Sequence, residues 1–427
     1  MRLMDKMRDG IRHFLRIQDA PKQTFNIREL LNYDGNCVKN LIWYRGDSYE
    51  LTQFYQNIPG GSDGVKFWAA RSTVGREIRK IHTGLPGIIV DRLTDIVIND
   101  FSQISFSKDS DKREWNEISK DNNFKGILKK AVSKMLILGD GAFKISLDES
   151  ISKYPIIEFY GSDKVDFVYN RGRIQEVVFT TEYEQNQVMY VLKEHYGYGY
   201  IKYKLYRATD NMEVPLGIIP VLNNLVDVGF DSSLIMAHPI KFGENPKWEG
   251  RGQSIFDKKT DDFDALDEAW SQWMDALRKG RSKEWIPESL LPRDPESGAI
   301  IKPNAFDNSY IKRGDDLSEN AQNKIEVTQP TIPHDSYLAT YITALDLCLQ
   351  GLISPSTLGI DVKKLDNADA QREKEKATLY SRNNIVGQLQ KVLPKLVDIV
   401  FKAMDTFHKT PIKDIDIDVT FGEYANP

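Results

Sequence analysis

Cysteine is nearly missing from this chain. Cys37 and Cys348 are the only two, far apart and without a CxxC partner, so neither a zinc knuckle nor a disulfide framework can be assembled. A reducing compartment fits that usage. Also missing is an unbroken apolar run of the roughly 20 residues that a spanning helix requires. The strongest stretch, Leu85 to Ile98 (LPGIIVDRLTDIVI), carries Asp91, Arg92 and Asp95, so no membrane segment is expected. The opening residues, MRLMDKMRDGIRHFLRI, alternate charge with apolar side chains and hold neither an apolar core nor a small-residue cleavage site, so no secretory signal is expected. No Gly-Lys dipeptide occurs, which excludes a Walker A phosphate loop and the ATPases built on it; HExxH and GxGxxG are absent too. Excess positive charge is lacking as well. Lys plus Arg is 57 against 62 Asp plus Glu, a net of −5, the wrong sign for a protein that must hold nucleic acid tightly. If DNA is a partner, it is one to be passed.

What is present is a folded composition, 41% hydrophobic and 28% charged over 427 residues, long enough for two to three domains. From about 77 to 98 and from 113 to 138, apolar residues recur at three- and four-residue steps (Ile78, Ile81; Ile89, Leu93, Ile96; Leu128, Val132, Met135, Leu136), which predicts helix. Gly84, Pro86 and Gly87 break the first stretch in two. After Gly139-Asp140-Gly141 the period changes to two: Ala142 to Leu147, Val165 to Phe167, Val177 to Thr181 and Tyr196, Tyr198, Tyr200 alternate as half-buried strands do. Asn170-Arg171-Gly172 and Glu184-Gln185-Asn186 read as turns, so residues 140–245 are expected to be mostly antiparallel β.

Beyond Gly250-Arg251-Gly252 a helix is predicted, with Phe256, Phe263, Trp270 and Leu277 at seven-residue steps and Leu266 and Trp273 between them. Its other faces are acidic early and basic late, the order the helix dipole favours. Residues 286–333 are rich in Pro, Gly and Asn with short β-like pieces. A second helix follows from about Asp335 to Leu352, then the breaker Ser354-Pro355-Ser356, a polar loop from Gly359 to Asp369, and a long helix from about Ala370 to Phe407 that Pro394 should kink. Ile415, Ile417, Val419 and Phe421 alternate as a closing strand.

Motifs of chemistry are weak. GxSxG occurs once, at Gly60 to Gly64, but among turn formers and without the strand and helix a nucleophile elbow needs. Asp261, Asp262, Asp264 and Asp267 have the carboxylate density of a two-metal nuclease site, yet a solvated or channel-facing acidic surface needs no more than this spacing. Asp414, Asp416 and Asp418 imitate the start of a calcium loop, but Val419 stands where glycine is required. The six histidines show no ligand spacing. Trp270 and Trp273 lie on the apolar stripe, so packing is expected ahead of base stacking. No catalytic residue, metal ligand or cofactor is assigned.

The order of elements, together with Ile42-Trp43-Tyr44-Arg45-Gly46-Asp47 followed by Leu51 and Phe54, the run IRKIHTGLPGIIVD from Ile78 to Asp91, and Gly139-Asp140-Gly141-Ala142-Phe143-Lys144, resembles the portal proteins of long-tailed, siphovirus-type bacteriophages over nearly the whole chain. The resemblance implies an α+β portal fold and a structural, non-enzymatic role. It places an N-terminal segment and wing at 1–255, the first stem helix at 256–284, the clip at 285–333, the second stem helix at 334–353, the channel loop at 354–369 and the kinked helix with the terminal strand at 370–427, the family's helical crown being absent or truncated. Lys363, Lys364, Asp366 and Asn367 would be exposed on the channel loop, and Asp261, Asp264, Asp267 and Glu268 are the channel-facing candidates on the stem. Implied partners are eleven or so further copies in a dodecameric ring, double-stranded DNA passing through, the terminase, a head-tail adaptor, and the major capsid and scaffold proteins. The implied location is the portal vertex of the virion, assembled in the host bacterial cytoplasm. The rival readings are a metal-dependent DNA-processing enzyme built on Asp261 to Glu268 and a monomeric head-assembly adaptor acting through the Pro-rich segment.

Overall fold

The computed structural model describes residues 31–58, 66–71, 78–301, 310–315, 324–360 and 368–422. Helices α1 (Tyr33–Arg45) and α2 (Ser48–Asn57) open it, with Asn32 capping the first and the Asp47 carboxylate accepting from Tyr49 N and Glu50 N at the start of the second. This is the N-cap chemistry that short polar side chains supply best. Helix α3 (Leu85–Asp100) starts at Gly84, which holds φ +73°, with Pro86 in its first turn. Ile78 and Ile81 are therefore not helical as their spacing suggested: 78–83 is an extended strap whose bonding partners lie elsewhere in the fold.

Strand β1 (Phe101–Phe106) leads to α4 (Asp109–Asp121) and α5 (Phe124–Leu138). The single helix predicted for 113–138 is thus two. Asn123 takes a left-handed φ of 49°, and the Asn122 amide is committed to tertiary bonds, donating to Pro155 O (2.9 Å) and accepting from Ile157 N (2.7 Å).

The β region follows as expected. Strands β2 (Asp140–Ser146) and β3 (Ile156–Gly161) form a hairpin that takes β10 (Ala237–Lys241) on the other edge of β2. A larger antiparallel sheet runs β4 (Val165–Asn170), β5 (Arg173–Gln185), β6 (Val188–Gly197), β7 (Tyr200–Arg207) and β8 (Met212–Val214), with β9 (Val228–Gly229) also on β7. Its first turn is Arg171-Gly172 and its second Asn186-Gln187, all four residues at positive φ, the geometry of two-residue hairpins that match strand twist.

The remaining elements are α6 (Thr260–Lys279), a small sheet of β11 (Lys283–Pro287), β12 (Tyr310–Arg313) and β13 (Glu326–Thr328), then α7 (His334–Leu349), α8 (Ala368–His408) and β14 (Ile417–Phe421). Helix α8 is assigned continuously through Pro394, which leaves the Gln390 carbonyl without its usual donor. β14 pairs antiparallel with β1, a partnership not anticipated from sequence. The main core lies where α3, α5 and α8 meet the β2–β3 hairpin. Ile89, Leu93, Val97, Leu128, Val132, Met135, Leu389, Leu393, Leu396 and Val400 are all buried there. Tyr190, Leu192, Leu205, Ile219 and Leu222 form a separate small core under the far end of the large sheet.

Candidate functional site: the α6 and α7 pair and its anchorage

Helices α6 and α7 pack antiparallel, the β11–β13 excursion joining their far ends. At that end an aromatic cluster fills the seam: Trp273 stacks on Tyr337 at 6.4 Å and meets His334 edge-on at 5.5 Å, while Trp270 lies 5.7 Å from Trp273 and 5.4 Å from Tyr341. At the root, Lys259 Nζ donates to Leu347 O and pairs with Asp262 at 3.1 Å. Packing claims both tryptophans. The predicted stripe is incomplete at its end, however, since Leu277 is 42% exposed.

The acidic face of α6 is not one surface. Asp264 accepts from Phe67 N (2.9 Å) and Trp68 N (3.3 Å), and Asp267 accepts from Trp68 Nε1 (3.2 Å), Thr83 N (2.9 Å) and Thr83 Oγ1 (3.0 Å), with His82 Nδ1 2.6 Å away. Ser271 accepts from Ile81 N at 2.9 Å. These groups at three- and four-residue steps clasp residues 66–71 and the strap 78–83 to α6. Lys80 Nζ draws the carbonyls of Phe67, Trp68 and Ala70 together beside them. Asp264 and Asp267 are buried, and burial pushes the Asp264 carboxyl above its ordinary range. Both therefore face the interior of the subunit and not a channel, which corrects the sequence expectation for these two. A buried carboxylate is retained only where donors surround it, as they do here. Asp261 stays exposed and pairs with Lys66, and half-buried Glu268 accepts from Gln272 Nε2 at 2.8 Å. With the oxygens of Asp264 and Asp267 committed to internal donors, the four carboxylates do not converge on one point. Among the described residues no group of three or more His, Cys, Asp or Glu has the geometry to hold a metal ion, and no helix is long and apolar enough to cross a membrane.

Two further anchors tie the root of α6 to the body. Asp257, just before α6, accepts from Asn36 Nδ2 (3.0 Å) and Asn40 Nδ2 (3.1 Å) on α1. Arg251 sits 4.0 Å over the Tyr33 ring, lies 3.4 Å from the Asp140 carboxylate, and donates to Val165 O and Ser162 O at 3.0 Å each. The glycines beside them are obligatory: a Cβ on Gly139 or on Gly252 would collide with the other's carbonyl. Sequence reading took Gly139-Asp140-Gly141 as a break and a family string and Gly250-Arg251-Gly252 as a boundary, without the contact between them, and gave Trp68, Thr83 and Ser271 no role. No local pattern marks these residues, because their partners lie 110 to 200 positions away.

Residues Lys363, Lys364, Asp366 and Asn367 lie outside the described residues, but the flanks of their loop are fixed. Thr378 Oγ1 on α8 accepts from Ser354 N (2.8 Å) and lies 3.1 Å from Thr357 Oγ1. One turn on, Arg382 binds the Asp100 carboxylate at 2.8 Å and donates to Gly422 O, locking α8 to α3 and to the end of β14. The site is thus a root held by buried polar bonds, from which the α6–α7 pair and its β excursion extend.

Compared with family models, residues 33–421 match the family described as phage portal protein, SPP1 Gp6-like. The chain belongs to that family. A portal protein is a structural part of a phage particle, and the mixed helix and sheet architecture above is this portal's version of the fold. Among solved structures, the neck of a native GTA particle computed with C12 symmetry is similar at 12% identity and TM-score 0.37, covering 78% of this portal chain and 79% of that one. The neck of an empty GTA particle computed with C6 symmetry is similar at 12% identity and TM-score 0.38, covering 79% and 81%. No curated protein matches this portal.

Proposed function

We propose that this portal chain is the repeating unit of a dodecameric ring at one capsid vertex. The ring conducts double-stranded DNA during packaging and ejection and docks the terminase motor on one side and a head-tail adaptor on the other. The major capsid and scaffold proteins are its partners during assembly in the host cytoplasm. The observation that carries this reading is the antiparallel pair α6 and α7, interrupted by a small β excursion and followed by a loop pinned at both flanks, within a chain of the portal family.

In this reading α6 and α7 are the stem, residues 285–333 the clip, and the loop around Lys363, Lys364, Asp366 and Asn367 faces the channel ahead of the long helix carrying Pro394. Asp261 and Glu268 remain channel-facing candidates on α6. A stiff polyanion that must slide needs few phosphate contacts, since each neutralised phosphate adds salt-dependent affinity. A net charge of −5 with two lysines on a loop suits transient, sequence-independent contact. Negative-stain images of the purified protein test the proposal. End-on rings with a central hole wide enough for a duplex are expected, and a monomer at every concentration and salt would overturn it.

A further inference from the structure

We propose that the outer face of α8, with the pocket on its flank, receives helix α7 of a second copy of this chain; the inference rests on the ring reading above. The pocket holds about 560 Å3 where α8 meets the root of α6 and the turn after α7. Buried Leu93, Leu136, Ile255 and Ile385 line it with apolar surface, and exposed Lys258 and Asn384 line it too. An apolar cavity of this size with a few polar groups is the usual form of a binding site.

Beside the pocket, α8 turns a bare side outward. Tyr380, Asn384, Gly387 and Lys391 follow at three- and four-residue steps and so share one face of the helix, and Tyr380 is 63% exposed. Gly387 sits among them in a helix interior, where only proline is less favoured. Its own subunit makes no use of the missing side chain. Among the described residues, nothing outside the adjoining backbone lies within 4 Å of where a Cβ would stand. The room is therefore on the outside, and bare backbone there lets another helix come close. Charge names that helix. From Lys376 to Val397, α8 holds no acidic residue, while Lys391 and Lys395 are exposed on it and Lys258 stands at the pocket. Helix α7 is the opposite: it holds no Lys or Arg, exposes Asp335 and Asp346, and leaves Leu338 38% exposed. Two unlike patches of opposite sign on one chain make a heterologous contact, the kind that repeats around a closed ring, and their potentials steer the copies into register.

Ring yield of the full-length chain, counted in negative-stain images at low salt, tests the proposal. Gly387→Trp is expected to melt as the parent does, because its side chain enters open space, and to form rings at least tenfold less often. Rings at the parent's yield overturn the proposal while leaving the ring reading intact; a parent that never forms rings refutes that reading itself. The thiol of Gly387→Cys keeps the test independent of bulk. Iodoacetamide should alkylate it at least tenfold more slowly in rings than in free subunits separated by gel filtration, and equal rates overturn the proposal. The occupant is tested by charge reversal. Lys391→Glu with Lys395→Glu should lower the ring yield, and adding Asp335→Lys with Asp346→Lys to the same chain should restore it. A yield untouched by the first pair, or not restored by the second, shows that α7 is not what docks there.

Discussion

At the scale of single residues, the root of α6 depends on two buried carboxylates, Asp264 and Asp267. Asp267→Asn keeps the shape but turns an amide NH2 toward donors, leaving Trp68 Nε1 or Thr83 unpaired. A loss of about 3 kcal/mol is expected, read as a lower denaturant midpoint with unchanged slope. Glu268→Gln, one position on, should stay within about 0.5 kcal/mol of the parent, and equal losses in the two variants would refute the clasp. His238 on β10 gives the acid response. Burial, with Lys395 nearby, lowers its pKa from 6.5 to about 4. A depressed value means that the stabilisation is complete above about pH 6.5 and is lost as the pH falls toward 4, by at most about 3 kcal/mol. The His238→Gln variant should therefore lose less stability than the parent between pH 6.5 and 4, and parallel pH-stability curves would count against this assignment.

At the scale of elements, the seam between α6 and α7 rests on Trp273, which touches His334, Tyr337 and Tyr341. Trp273→Ala is expected to cost about 2–4 kcal/mol and to loosen the stem selectively, visible as faster hydrogen exchange in α7 than in α3. Helices α6, α7 and α8 were legible in the sequence within a few residues of their observed ends, because each carries a stretch of helical apolar period and Gly280, Pro333, Gly351 and Pro411 stand close to their ends. The two hairpin turns were legible from Asn170-Arg171-Gly172 and Glu184-Gln185-Asn186, in which Gly172 and Asn186 are residue types that tolerate positive φ. Ile78 and Ile81 misled, because spacing at one helical turn also suits an extended strap that is held by another element. Asp264 and Asp267 misled for a related reason. A helix face rich in carboxylates has the same pattern whether it meets water or a set of backbone and side-chain donors brought from 184 to 199 residues away.

At the scale of the whole molecule, the proposed ring sets different demands on its parts. Lys363→Ala with Lys364→Ala should leave rings intact in electron micrographs while altering DNA retention or packaging, and loss of the rings themselves would show that this loop belongs to the assembly interface. The β excursion has another property, set by how it is stitched. β11 leaves α6 almost directly and β13 runs into α7, and the two pair antiparallel at Lys283 with Thr328, Glu284 with Val327 and Trp285 with Glu326, with Trp285 Nε1 donating to Thr328 Oγ1 at 2.9 Å. That pairing closes the neck of the excursion and fixes the distance between the helix ends regardless of what lies beyond it. The other edge of β11 carries β12, paired parallel from Tyr310 to Arg313, so in the proposed ring changes of length are confined to the connections between these strands, where they leave α6 and α7 in register.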